Sequence, residues 1–421
     1  MKYRVSEVFV PGGLPKHTYV PRLSRNLEDR IQGARDNLCK VMTVTGATKS
    51  GKTVLVRKVI GREDSVWLEG GAVRNLEDFW ELVIDRLEIT DEEQTSTSKG
   101  SSAELGLELS GQANLVLVKG AGKISPRAGH QRSKSVVRKR VLSRRGQAVR
   151  LISSQRKPMV IDDFHYLPRE LQGSITRILK PLVFEGVPVI YLAIPHRRFD
   201  AVKVEREMNG RVENVEVPIW DVEELKTIAQ LGFPLLNVMP ELNTSMRLAR
   251  EAQGSPHLMQ EFCKKMCLKS GISESADAGL HVNPDFEYEH IFREVANDLG
   301  KNIFDRLARG PRTRTDRKQR RLRKGGEADI YRVVLMALAD LKPSVETIEY
   351  EPLRASIRSI LNDSLPEAHE VSRVLEQMAK ISATDESSVP VIDYEKDDRK
   401  LHITDPFFAF FLRWGHELIN A

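Results

Sequence analysis

Val41-Met42-Thr43-Val44-Thr45-Gly46-Ala47-Thr48-Lys49-Ser50-Gly51-Lys52-Thr53 decides the reading of this chain. Its first five residues are apolar or β-branched and predict a strand. The last eight fit GxxxxGK[ST] in full. A helix is expected from about Lys52 to near Gly61, so the motif sits between a strand and a helix. Each position has a physical reason. Gly46 and Gly51 permit torsions and a close approach that a Cβ forbids. Together with the helix N-terminus, the amides of Gly46, Ala47, Thr48, Lys49, Ser50 and Gly51 face phosphate groups. Lys52 can reach the β and γ phosphates, and the Thr53 hydroxyl can bind Mg²⁺.

Met159-Val160-Ile161-Asp162-Asp163 supplies the second half. A strand over Pro158–Asp162 delivers two carboxylates to the sheet edge, where a P-loop fold gathers its ligand residues. Asp162 is expected to hold the Mg²⁺ shell, and Asp163 to orient or deprotonate the attacking water.

Working outward, further strands are expected at Ser65–Leu68 and Val187–Ile194. Helices are expected at about Asn26–Asp36, Leu76–Leu87 and Leu171–Phe184. This alternation predicts an α/β fold, a parallel sheet covered on both faces. The distance from Lys52 to Asp162 exceeds what a simple strand–helix route needs, which implies an insertion over about 90–150. That stretch begins Ser/Thr-rich, carries a candidate hairpin over Leu105–Val118, and ends in a basic run through Arg132, Arg138 and Arg145.

After residues 1–220, the core, the pattern becomes helical. Val222–Gln230, Glu241–Ala252, Pro256–Leu268 and Glu289–Ala308 predict a lid over 221–308. A basic linker, 309–326, ends in Gly325-Gly326. Residues 327–421 show three helices, strand-like residues about the charged turn Glu395–Lys400, and an aromatic helix, the order of a winged helix. That aromatic helix, Phe407–Trp414, reads as core rather than interface.

The chain has 421 residues, enough for two or three domains. With 40% hydrophobic and 29% charged residues it has the balance of a soluble globular protein. No apolar run is long enough to span a bilayer, so a membrane partner is not expected. No secretory signal is evident after Met1, and the cysteines number three, without a disulfide framework. A cytoplasmic location follows. Cys263 and Cys267 read as buried helix filler rather than metal ligands.

The net charge of +6 is modest, but its distribution is uneven. Arg312, Arg314, Arg317, Lys318, Arg320, Arg321, Arg323 and Lys324 crowd the linker. Segments 132–150 and 312–324 are therefore candidate nucleic-acid contacts, read against a solvated, self-repelling linker. His165 reads as a packed turn residue. His257 reads as helix N-terminal packing or a phosphate contact.

On these motifs the chain resembles ATPases of the AAA+/STAND group, close to the origin-recognition and transposition types. Tyr19-Val20-Pro21-Arg22 resembles the group's short motif that packs on adenine, which implies ATP as the ligand. Asp162-Asp163 resembles the acidic pair of STAND proteins; many AAA+ members carry glutamate second. Gly254-Ser255-Pro256-His257 resembles the glycine-proline motif by which STAND lids touch the nucleotide, where many AAA+ proteins place an arginine. Ile403-Thr404-Asp405-Pro406-Phe407-Phe408 with Phe411-Leu412-Arg413-Trp414 resembles the ending of prokaryotic winged-helix ATPases. In Pro195-His196-Arg197-Arg198 the resemblance implies a γ-phosphate sensor, Arg197 ahead of Arg198. It further implies self-association and a nucleic-acid-linked switch in a prokaryotic defence or mobile-element system. The alternative is an ATP-dependent scaffold recruiting a separate effector protein.

Overall fold

The computed structural model describes residues 2–36, 39–88, 143–194, 210–282, 287–311, 317–383 and 390–415. Its centre is a parallel sheet of five strands: β1 (Val41–Gly46), β2 (Val66–Glu69), β3 (Met159–Asp162), β4 (Val189–Ala193) and β5 (Val212–Val217). Their order is β2-β3-β4-β1-β5. β1 through β4 are almost wholly buried because helices cover both faces, as their unbroken apolar runs require. β5 is an edge strand whose sequence alternates charged and apolar residues, and only Val215 and Val217 are buried in it.

The register fixes the site. Glu69 pairs with Asp162 across β2 and β3, and Gly46 pairs with Val217 across β1 and β5. The phosphate loop and the acidic pair therefore emerge at the same edge of the sheet. One face is packed by Leu27, Ile31, Val56 and Ile60 from the first core helices. The other holds Phe79, Trp80, Ile152, Ile175 and Leu179.

Helix Arg144–Gln155 belongs to this second face, burying Ala148 and Ile152. The core thus resumes before residue 150, inside the stretch expected to be insertion. Arg145, exposed on this helix, lies 4.7 Å over the Trp80 ring. The candidate hairpin Leu105–Val118 and the earlier basic residues from Arg132 to Arg140 lie outside the described residues.

The lid is built from Val222–Leu235, Thr244–Glu251, Pro256–Lys269 and Tyr288–Arg309. Asp221 caps the first with a reciprocal Asp221/Glu224 box, and Ser255 caps the third with proline in its first turn. The N-terminal segment packs with the lid rather than the sheet. A short helix, Val5–Val8, and Phe9 enter the lid's hydrophobic cluster. Cys263 and Cys267 are free and buried there.

The winged helix follows as helix Ile330–Asp340, strand Thr347–Glu349, helices Tyr350–Ile360 and Ala368–Ser382, and strands Ile392–Glu395 and Lys400–Ile403. These strands form an antiparallel sheet with Lys400–Ile403 in the middle. A last helix, Pro406–Trp414, returns to the lid and buries Phe408, Phe410 and Phe411. Lid and winged helix share one hydrophobic cluster.

The expected basic linker is structured on this domain over its described residues. Arg320–Arg321 pairs antiparallel with Glu327–Ala328 around Gly325-Gly326. Leu322 bridges to Leu361, and the Arg323 amide donates to the Ile360 carbonyl. The reason lies in its arginines. Arg317 pairs with Asp329 at 2.7 Å, and buried Arg320 pairs with Glu370 at 3.1 Å. Arg312 and Arg314 lie outside the described residues.

Candidate nucleotide site

Gly46 ends β1 where β5 presses close. A Cβ there would stand 2.5 Å from the Val217 carbonyl oxygen, so no larger residue fits without moving the strand. The loop then turns through Lys49, which holds a left-handed φ of 61°, and enters helix Lys52–Ile60. Lys52 is buried. Its Nζ donates to the Gly46 and Ala47 carbonyls, each at 2.8 Å. Among the described residues, the buried hydroxyls of Thr48 and Ser50 have no hydrogen-bond partner. A buried hydroxyl without a partner is costly, and its position lining the loop suits a phosphate oxygen.

The Thr53 hydroxyl donates to Asp162 Oδ1 at 3.2 Å. The same oxygen accepts from the Asp163 amide at 3.0 Å. Asp163 takes a φ of 51° in the turn after β3. Gly70 lets the neighbouring strand end pass beneath this tip, since a Cβ would meet the Asp163 carbonyl at 2.4 Å.

The site is electrostatically tense. Burial lowers the Lys52 ammonium to about 8, and Lys49 adds to the fall; Asp163 and Asp162 oppose it. Burial, Asp163 and Glu69 raise the Asp162 carboxyl to about 6, against the hydrogen bonds from Thr53 and the Asp163 amide. Asp163 is raised by burial and Glu69, and held back by Lys52 and Lys49. Charges kept out of water and incompletely paired are those a charged ligand with a divalent ion would satisfy. Among the described residues no cluster of three or more His, Cys, Asp or Glu side chains could hold a metal alone. Thr53 and Asp162 fit Mg²⁺ whose remaining oxygens come from phosphate and water.

A cavity of about 310 Å³ opens beside the loop, lined by Tyr19, Val20, Arg22, Lys52, Asp163 and Pro256 among others. The expected base-packing, phosphate and lid residues thus share one cavity. Their parts differ. The Tyr19 hydroxyl donates to Glu28 at 2.7 Å, leaving the ring as its usable surface. Arg22 is occupied by protein groups. It forms a bidentate pair with Glu224 at 2.9 and 2.8 Å and donates to the Pro218 and Ile219 carbonyls. It fastens the N-terminal segment to the lid. His165 is buried in the turn after Asp163, as the packing reading expects. His257, lowered to about 4 by burial and by Lys49, lines the cavity as a neutral ring. Arg197 and Arg198 lie outside the described residues.

Sequence reasoning missed three contacts. Trp220 Nε1 donates to the Ser50 carbonyl at 2.9 Å, tying the phosphate loop to the start of the lid. Its signal was a lone indole at the core–lid boundary. At the cavity wall Gln260 Nε2 donates to the Thr18 hydroxyl at 2.9 Å, which donates to the Val8 carbonyl at 2.7 Å, while Gln260 Oε1 accepts from the Val10 amide at 3.1 Å. Glu69, opposite Asp162 in register, receives Arg57 and Arg62 at 3.6 Å each.

These features combine a P-loop at the end of β1, an acidic pair at the end of β3 and a lid over the crevice. The chain has the fold of a P-loop ATPase. No protein-family model and no curated protein matches it. Solved structures do. A Walker-type ATPase of Pyrococcus abyssi is 12% identical, over 96% of this chain and 99% of that one, with a TM-score of 0.54. The ORC2 protein of Aeropyrum pernix, in ADPNP–ADP complexes, is 12% identical over 98% and 96%, with a TM-score of 0.47. Cdc6p of Pyrobaculum aerophilum is 12% identical over 99% and 98%, with a TM-score of 0.43. At such identity the P. abyssi likeness shows the fold alone, end to end.

Proposed function

We propose that this chain binds ATP with Mg²⁺, hydrolyses it, and uses the cycle to move the lid against the core. The carrying observation is the convergence of Lys52, Thr53, Asp162 and Asp163, with Thr53 and Asp162 3.2 Å apart. In this reading Lys52 trades the Gly46 and Ala47 carbonyls for phosphate oxygens. Asp162 and Thr53 hold Mg²⁺, which supplies charge neutralisation on the phosphates. Asp163 orients the attacking water. Tyr19 and Val20 flank the base, Pro256 carries the lid to the loop, and Arg197 senses the γ-phosphate. Equilibrium binding of a fluorescent ATP analogue with and without Mg²⁺ tests this. Loss of binding in Lys52→Ala supports it, and unchanged binding in that variant refutes it.

Two downstream roles follow, both expected of a self-associating protein in the cytoplasm. In the first, nucleic acid meets the hairpin cations that remain exposed: Lys318, Arg321, Arg323 and Lys324. In the second, the protein is a scaffold that recruits a separate effector. The internal pairing of Arg317 and Arg320 favours the second. DNA-stimulated turnover that fades with salt selects the first; assembly indifferent to nucleic acid selects the second.

A further inference from the structure

The last helix reaches the phosphate loop. Lys49 Nζ lies 5.4 Å from the centroid of the Phe407 ring. That ring stands edge-on to His257 at 4.8 Å, and His257 in turn packs against Gly12 of the cavity wall. Phe407 is held in place by Asp405, whose Oδ1 accepts from the Phe407 and Phe408 amides at 2.8 and 2.9 Å. The far end of the helix is pinned to the lid. Trp414 Nε1 donates to Glu251 Oε2 at 2.8 Å, and Arg413 meets the same oxygen at 3.2 Å. Immediately before it runs strand Lys400–Ile403, the middle strand of the winged-helix sheet. The helix therefore links winged helix, lid and phosphate loop.

Lys49 stands between two groups that can use its charge. Its field acts on Lys52 and Asp163 on one side and on His257 and Asp405 on the other. Its side chain is exposed and lines the cavity, so it can turn without disturbing the core. A cation over the partly buried Phe407 ring gains less than a charge-assisted bond to a phosphate oxygen.

Building on the ATP reading, we infer that Lys49 is a two-position reporter, resting on Phe407 without nucleotide and moving to the terminal phosphate with it. Phosphate occupancy then loosens the N-terminal end of the last helix and, through it, the winged helix. Linkage makes the effect reciprocal: a seated Phe407 weakens ATP binding by the factor by which ATP weakens the seat.

Two measurements on the full chain test this. First, hydrogen exchange of the Phe407–Phe410 amides is followed with and without saturating Mg²⁺ and a non-hydrolysable ATP analogue. The analogue should speed exchange in the wild type. In Lys49→Met it should bind more weakly and leave exchange there unchanged. Second, Phe407→Leu should bind the analogue two- to five-fold more tightly, equivalent to about 0.5–1 kcal/mol. If the wild type binds the analogue with no change in exchange at Phe407–Phe410, or if Lys49→Met keeps the full response, the reporter is refuted while the ATP reading stands. If the wild type binds no nucleotide, the ATP reading itself fails. Lys49→Met changes only an exposed side chain, so the exchange test holds even if Phe407→Leu does not fold.

Discussion

The chain carries two dense clusters of charge, and they are opposites. At the phosphate loop, Lys52, Asp162 and Asp163 are shielded from water and shifted from their ordinary ionisation. In the hairpin before the winged helix, Arg317 and Arg320 each meet a carboxylate, and Arg323 Nε donates to the Leu361 carbonyl at 2.9 Å. The first cluster is incomplete without a ligand. The second is paired where it is buried, at Arg317 and Arg320, which hold the hairpin to its domain, while Lys318, Arg321 and Lys324 stay solvated. Charge density alone does not mark a binding site; charge left unsatisfied does.

The largest expected effect lies at the first cluster. Asp163→Asn should retain Mg²⁺-ATP binding and lower turnover by about 10²- to 10³-fold, because it removes the group that positions or accepts the water's proton. Single-turnover phosphate release measures this, and a near-normal rate removes Asp163 from its role.

Next comes the second cluster. Arg320→Ala should lower stability by about 1–3 kcal/mol in chemical denaturation, since it breaks a buried guanidinium's pair, while ATP binding stays unchanged. A variant as stable as the wild type would mean that this arginine is not structural, and the comparison would collapse.

Asp162→Asn should do the reverse and stabilise the nucleotide-free protein at neutral pH, on the order of 1–2 kcal/mol. The sign follows from the raised carboxyl. Between its ordinary value and about 6 the folded state binds more protons than the unfolded, so ionised Asp162 destabilises as pH rises through that window. The gain in thermal stability should therefore be present at pH 7 and absent near pH 4. Stabilisation by Mg²⁺-ATP should vanish in the same variant. In the wild type it should weaken as pH falls through about 6, because the protonated acid no longer holds the ion.

The smallest effect is expected from Lys324→Ser, at an exposed turn. Stability should change by less than about 0.5 kcal/mol. If the hairpin meets nucleic acid, the slope of log affinity against log salt should become shallower by about 1.

Much of this was readable beforehand, for definable reasons. β1, β3 and β4 are buried on both faces and so appear as plain apolar runs. The phosphate loop is specified by torsions and chemistry that few other residues satisfy. β5 was not read, because half of it faces outward and Val212–Val217 alternates with acids and an amide. The pairing of Arg320 was invisible because Glu370 stands 50 positions away. The contact of Trp220 with the phosphate loop was missed, and the core reading of the last helix, though it holds, did not reveal that of Phe407. An aromatic beside a domain boundary reads as packing, and only the fold shows that each also touches the phosphate loop.

The most direct test is steady-state ATP hydrolysis by the wild type and by folded Lys52→Ala, each with Mg²⁺ and with chelator. The account predicts Mg²⁺-dependent phosphate release by the wild type and none above background by the variant. Equal turnover by both, or wild-type turnover indifferent to Mg²⁺, would contradict it.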